Sequence, residues 1–313
     1  MRKLILICAV SALVFNSCSK SGKSNKTISL SGAFALYPLA VKWAEEYKKE
    51  NPDIEFDISA GGAGKGMTDA LSGMVDIGMV SREISKDEQD KGAWFISVAI
   101  DAVIPVINSN NPIFKEISSK GLTKEQFGMI WDKKSKVSWK IILPSLSSDG
   151  AINVYTRSDA CGAAQTWAGY FGKKQEDLSG TAVFGDPGLA EAVRKDILGV
   201  GYNNINFAYD KDTKKCVEGL AVIPIDINSN GKVDDDENFY NTRSELTKAI
   251  ASGKFPSPPS RKLYFVHKDK PADMELQKFL KWVLNDGQKY VQESGYILLL
   301  ESEMKENINK TGE

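Results

Sequence analysis

Histidine is all but missing from this chain, with His267 the only one in 313 residues. It falls in the apolar stretch "KLYFVHKD", which reads as a strand, so it is a packed or exposed sheet residue rather than a catalytic base. Cysteine is scarce as well. Of four, Cys8 and Cys18 lie near the N-terminus, leaving Cys161 and Cys216 in the body of the chain, where they read as free thiols. Excess positive charge is also lacking: 40 Lys and Arg stand against 41 Asp and Glu. That balance argues against a basic nucleic-acid surface. The N-terminal apolar run, Leu4–Phe15, is too short to span a bilayer. No internal repeat is present.

What that N-terminus does contain is an export signal. "MRKLILICAVSALVFNSC" places Arg2 and Lys3 before the apolar run and small polar residues before Cys18. A cysteine at that point resembles the lipobox of a bacterial lipoprotein, in which Cys18 carries the lipid and becomes the first mature residue. Residues 1–17 are then the signal peptide, and 18–26 a polar, flexible tether to the cell envelope. Loss of Arg2 and Lys3 takes the mature net charge to about −3.

Along the remainder, strand and helix signals alternate, as in α/β layers. "YPLAVKWAEEYKKENP" repeats apolar residues at Leu39, Trp43 and Tyr47, with Pro38 in the first turn. "LTKEQFGMIW" opens on Thr123 with Gln126 three later, a capping box. "SVAIDAVIPVINSNNP" reads as a buried strand. "MELQKFLKWVLNDGQKYVQESGY" is the longest amphipathic helical pattern, and "SGKFPSPPS" (252–260) a linker.

Three strand ends run through small residues into helices: Ser31–Tyr37, Gly61–Gly66 and Asp159–Ala164. Each exposes backbone N–H groups at a helix N-terminus, where an anion gains about 0.3–1 kcal/mol, more when partly buried. Arg157 lies beside the third turn. Its spacing to Asp159 points to a held guanidinium, presenting a fork that tetrahedral oxygens can accept bidentately.

In this order the motifs "LSGAFALYPLAVKWAEEY", "GGAGKG", "VDIGMVSREI", "AIDAVIPVINSNNP", "TRSDACGAA", "GVGYNNINFAY" and "LYFVHKD" resemble the phosphate-binding subunit of bacterial phosphate ABC importers, a periplasmic-type solute-binding protein. The resemblance implies a two-lobed α/β fold with mixed sheets, hinge strands and an interlobe ligand cleft. Lobe I takes residues 27–104 plus 259–313, and lobe II residues 105–258. It implies a monomer that binds an oxyanion, delivers it to the importer's membrane subunits and performs no chemical step. Family ligands fall on Leu36, Tyr37, Gly62 with Ala63, Ser81, Arg82, Arg157, Cys161, Gly162 and Ala163, with Asp159 orienting Arg157. Hydroxyl side chains common in the family are replaced at Leu36, Gly62, Cys161 and Ala163. The family aspartate that accepts the proton of hydrogen phosphate gives way to Ser81-Arg82, and Asp101 is the candidate replacement. Phosphate leads, with sulfate, molybdate or an organophosphate as alternatives. A phosphatase using Cys161 is a remote reading, because Arg157 precedes the cysteine rather than following it.

One further motif stands apart. In "DINSNGKVDDDE", residues 226–237, oxygen donors fall at positions 1, 3, 5, 9 and 12 as Asp226, Asn228, Asn230, Asp234 and Glu237. Gly231 occupies position 6, and Lys232 offers its carbonyl from position 7. This is the pattern of an EF-hand-type calcium loop, holding Ca2+ structurally. The alternative is an acidic Asn-Gly turn between a strand and a helix starting near Asn238.

Overall fold

A computed structural model describes residues 26–132 and 137–312. The predicted signal peptide and Cys18 lie outside the described residues. Nine strands form among them: β1 (Lys26–Gly32), β2 (Ile54–Ala60), β3 (Ile77–Val80), β4 (Ala93–Asn108), β5 (Asn153–Arg157), β6 (Thr181–Val183), β7 (Gly199–Asn204), β8 (Leu220–Val222) and β9 (Ser260–Lys268). They pair in the order β2-β1-β3-β9-β4-β7-β5-β6, with β8 also on β4.

Two separate cores pack against this sheet. One draws on residues 28–99 and 263–296. The other is built from 102–255, joined by Ile297. β4 belongs to both: its first part pairs antiparallel with β9, and its second part with β7 and β8. The continuous apolar run of β4 follows from burial along almost its whole length. The crossing lies near Asp101, which faces Arg261 across the β4–β9 ladder.

In the first core β1 is parallel to β2 and β3; in the second β5 is parallel to β6 and β7. Crevices outside the carboxyl ends of parallel strands are where such sheets bind ligands. Every anion-site candidate of the three turns follows one of those ends.

Helix termini match local capping chemistry. Ser85 with Glu88, and Thr123 with Gln126, form capping boxes. Pro38 lies in the first turn of Tyr37–Glu50. Two expectations need correction. The long C-terminal pattern is not one helix: Met274–Leu284 stops, a 3-10 turn follows at Asp286–Gln288, and Lys289–Glu293 resumes. The break lets the carbonyl of Gly287 accept from the buried Trp43 indole at 2.8 Å. The helix after the acidic loop begins at Arg243, capped by Thr242, rather than near Asn238. Among the described residues no helix is long and apolar enough to cross a membrane.

Candidate anion-binding cleft

Arg157 ends β5 with its side chain 1% exposed. Its Nε donates to Asp159 Oδ1 at 2.8 Å and its Nη2 to Asp159 Oδ2 at 2.6 Å. Its Nη1 donates to Asp186 Oδ2 at 2.5 Å. Burial works against the charge, but Asp186 and Asp159 more than offset it, so the guanidinium stays ionised. Asp186 is in turn held by Asn204, whose Nδ2 donates to Asp186 Oδ1 at 2.8 Å. The Phe34 ring covers the guanidinium, 5.5 Å from ring centroid to Cζ, and meets Phe184 edge-on at 5.9 Å. Three of the five guanidinium N–H groups are thus committed to carboxylates, leaving two uncommitted.

The helix Gly162–Tyr170 starts immediately beyond, with Cys161 as its cap. The N–H groups of Gly162 and Ala163 belong to its first turn and have no intrahelical acceptor. The Cys161 sulfur accepts from Ala164 N at 3.4 Å. Burial pushes the Cys161 thiol up to about 12, although Arg157 pulls the other way. It is therefore a neutral thiol at pH 7, unsuited to attack phosphorus.

The two halves touch here. Gly64 N donates to Ala160 O at 3.0 Å. A Cβ on Gly62, whose φ is +90°, would lie 2.8 Å from Asp159 Oδ2. A Cβ on Gly162 would lie 2.1 Å from the carbonyl oxygen of Ser81. Only glycine permits either approach. Gly62, Ala63, Ser81, Arg157, Asp159, Cys161, Gly162 and Ala163 are thereby brought together. A cleft of about 860 Å³ lies beside them; of these eight only Cys161 lines it, together with Gly64, Arg82, Lys174, Pro258 and Arg261 among others.

Other candidates are placed differently. Leu36 is fully buried in the first core, and the amides of Leu36 and Tyr37 donate within their own turn to Ala33 and Phe34. Phe34, not those two, reaches Arg157. Arg82 does line the cleft, with its fork bidentate to Glu88 at 2.6 and 2.8 Å. Asp101 is 1% exposed, and neither oxygen meets a donor at hydrogen-bonding geometry. Its nearest cation is Arg261 Nη2, 3.5 Å away. Burial pushes its carboxyl up to about 7, against the attraction of Arg261.

Sequence reasoning missed Phe34, Asp186, Asn204 and Arg261. Asp186, at the second position of the helix Gly185–Lys195, carried a readable signal as an acid in a first turn. So did Arg261, a charge opening an apolar strand.

In the loop 226–237, Asp226 and Glu237 are 3% and 4% exposed. Asp226 accepts from the amides of Asn230 and Gly231 at 3.1 and 2.9 Å. Glu237 Oε1 accepts from Ile227 and Asn228 at 2.9 and 3.0 Å. Gly231 takes φ +83°. Asp234 is occupied by Lys232 at 2.6 Å and by the amides of Asn228 and Asn230. Among the described residues no three His, Cys, Asp or Glu side chains stand ready around one ion. Asn228 and Asn230 turn their amide nitrogens, not their oxygens, toward Asp234.

With this geometry in place, kinship is plain: residues 19–287 match the model of the PBP superfamily domain, and the chain belongs to that family. It is 27% identical over 298 residues to the phosphate-binding protein PstS of Staphylococcus saprophyticus, covering 93% of this chain and 86% of that protein. It is 26% identical to the protein SphX of Synechococcus elongatus, covering 95% and 84%. A Clostridium perfringens substrate-binding protein solved with bound phosphate superposes with TM-score 0.70 at 22% identity, over 88% of this chain and all of that one. An ABC-type phosphate transport receptor from Vibrio cholerae gives TM-score 0.63 at 20% identity, over 87% and 100%. Those structures share the periplasmic binding protein-like fold described above.

Proposed function

We propose that this protein is the solute-binding component of an ABC importer, taking up inorganic phosphate between its halves and performing no chemistry on it. The observation that carries the reading is Arg157. A buried guanidinium with two uncommitted N–H groups stands at the start of a helix whose first amides need acceptors. Both donors are fixed before a ligand arrives, so little is lost in ordering them. Relatives named for phosphate binding, matched over nearly the whole chain, support the same ligand.

The proton on hydrogen phosphate favours it over sulfate. Arg157 and Arg261 face Asp101, Asp159 and Asp186, so the polar cluster carries more acid than base. Sulfate, of the same charge as hydrogen phosphate but with no proton to donate, gains little there. Hydrogen phosphate brings a proton that a carboxylate can accept, and a polar group left unpaired costs about 1–3 kcal/mol. Titration calorimetry of phosphate-free protein with phosphate, sulfate and molybdate tests this. Tight sulfate binding with no phosphate heat would reject it.

Two further elements complete the proposal. Cys18 is lipid-modified and anchors the protein to the cell envelope, which incorporation of a labelled fatty acid would reveal and Cys18→Ser would abolish. Loop 226–237 holds a structural Ca2+ through Asp226, Asn228, Asn230, the Lys232 carbonyl, Asp234 and Glu237; its buried Asp226 and Glu237 support this.

A further inference from the structure

Arg261 lies outside every turn discussed above, yet it touches the cleft from the crossing strands. It opens β9 opposite Asp101 of β4, with a side chain only 6% exposed. Its Nη1 donates to the carbonyl of Gly162 at 3.2 Å, and its Nη2 to Asn204 Oδ1. The other end of the Asn204 amide donates to Asp186, and Asp186 accepts from Arg157. The amide fits in one orientation only, oxygen toward the guanidinium and nitrogen toward the carboxylate.

We propose that Arg261 is a positioning residue for the anion site, bracing Arg157 through Asn204 and Asp186 and holding the Gly162 turn by its carbonyl. Fold stability gives little reason for it. β4 and β9 are already joined by their backbone ladder. A buried ion pair at 3.5 Å, with the Arg261 Nε lacking an acceptor, recovers poorly the cost of desolvating both charges. Both Gly162 and Asn204 belong to the second half of the molecule, whereas β9 runs into the first core. The fork therefore registers how the halves stand to one another, where the turn amides and Arg157 must converge.

Asp101 gives this brace a proton-dependent signature. The groups facing it are Arg261 from β9, Asp186 from the helix Gly185–Lys195, and the phenol of Tyr296. An anion entering the cleft adds negative charge near the carboxyl and favours its protonated form. Binding then takes up a proton at Asp101, so affinity declines as pH rises from 6 to 8. Asp101→Asn removes that contribution and leaves only the ligand's own titration.

The inference rests on the phosphate reading, so inorganic phosphate is the probe, titrated into phosphate-free protein and into Arg261→Lys. Lysine keeps a cation opposite Asp101 but cannot bridge Gly162 and Asn204 with one fork. Phosphate affinity is expected to fall about tenfold, with the ligand-free melting temperature near the parental one. The affinity of Asp101→Asn should decline less steeply with pH than the parental affinity. Parental affinity in Arg261→Lys, or parallel pH profiles for Asp101→Asn and the parent, would overturn the inference alone. Absence of phosphate binding in the unsubstituted protein would overturn the functional reading and the inference with it. Should Arg261→Lys not fold, Asn204→Ala, which cuts the same connection one residue further on, is read identically.

Discussion

The two buried arginines of the cleft are neutralised in opposite ways. Arg157 has two carboxylates at 2.5–2.8 Å, bound through Nε, Nη1 and Nη2. Arg261 has one, at 3.5 Å, and spends its fork on a backbone carbonyl and a side-chain amide. Charge-assisted bonds of the first kind are short and strong. The second arrangement leaves Asp101 without a close bond from its arginine, and burial pushes its carboxyl up to about 7. Arg157 is thus a fixed cation that can face a ligand, whereas Arg261 is a geometric brace whose partner is poised to titrate.

The largest expected effect falls on Arg157. Arg157→Ala strips the ligand of its cation and leaves Asp159 and Asp186 buried together. Phosphate affinity should fall more than tenfold, and chemical denaturation should register a loss of about 3–5 kcal/mol. Unchanged affinity would erase the distinction between the two arginines. Next comes the pH dependence of stability at Asp101. An ordinary carboxyl of this type titrates near 3.8, and this one is raised to about 7. Between those values the folded state keeps a proton that the unfolded chain releases. Its stabilising contribution is therefore complete below about pH 4 and fades as pH rises to about 7. Asp101→Asn should gain on the parent over that window in melting experiments. A constant difference would mean that Arg261 keeps Asp101 ionised throughout.

Smaller effects lie outside the arginine pair. Asp226→Ala should lower the melting temperature in calcium and change it little in chelator; equal shifts in both would remove the metal from the account. Cys161→Ala should be mildest, since the thiol supplies one long contact to Ala164 and stays protonated. Phosphate affinity near the parental value is expected, and loss comparable to that of Arg157→Ala would give the sulfur a role not argued above.

What could be read in advance was local. Arg157 and Asp159 are two residues apart, and the strand-to-helix turns announce themselves by small residues. Capping boxes at Ser85 and Thr123 need only a spacing of three. Partners brought together by the sheet were hidden. Asp186 and Asn204 lie 29 and 47 positions beyond Arg157, and Arg261 meets Gly162 across 99 positions. Arg82 lines the cleft, but the hold of Glu88, six residues on, upon its fork was not legible. The use of the Leu36 and Tyr37 amides by a tight turn at Ala33 was likewise not legible. Periodicity also carried the C-terminal helix through Asn285-Asp286-Gly287, where the close approach of Trp43 to Gly287 breaks it.

The most direct test is amide hydrogen exchange of the phosphate-free protein with and without phosphate, followed on peptides covering residues 161–164. An oxyanion held by Arg157 and the first turn of that helix should slow exchange at Gly162 and Ala163, and Arg157→Ala should erase the protection. Phosphate that binds with exchange there unaltered would contradict the site.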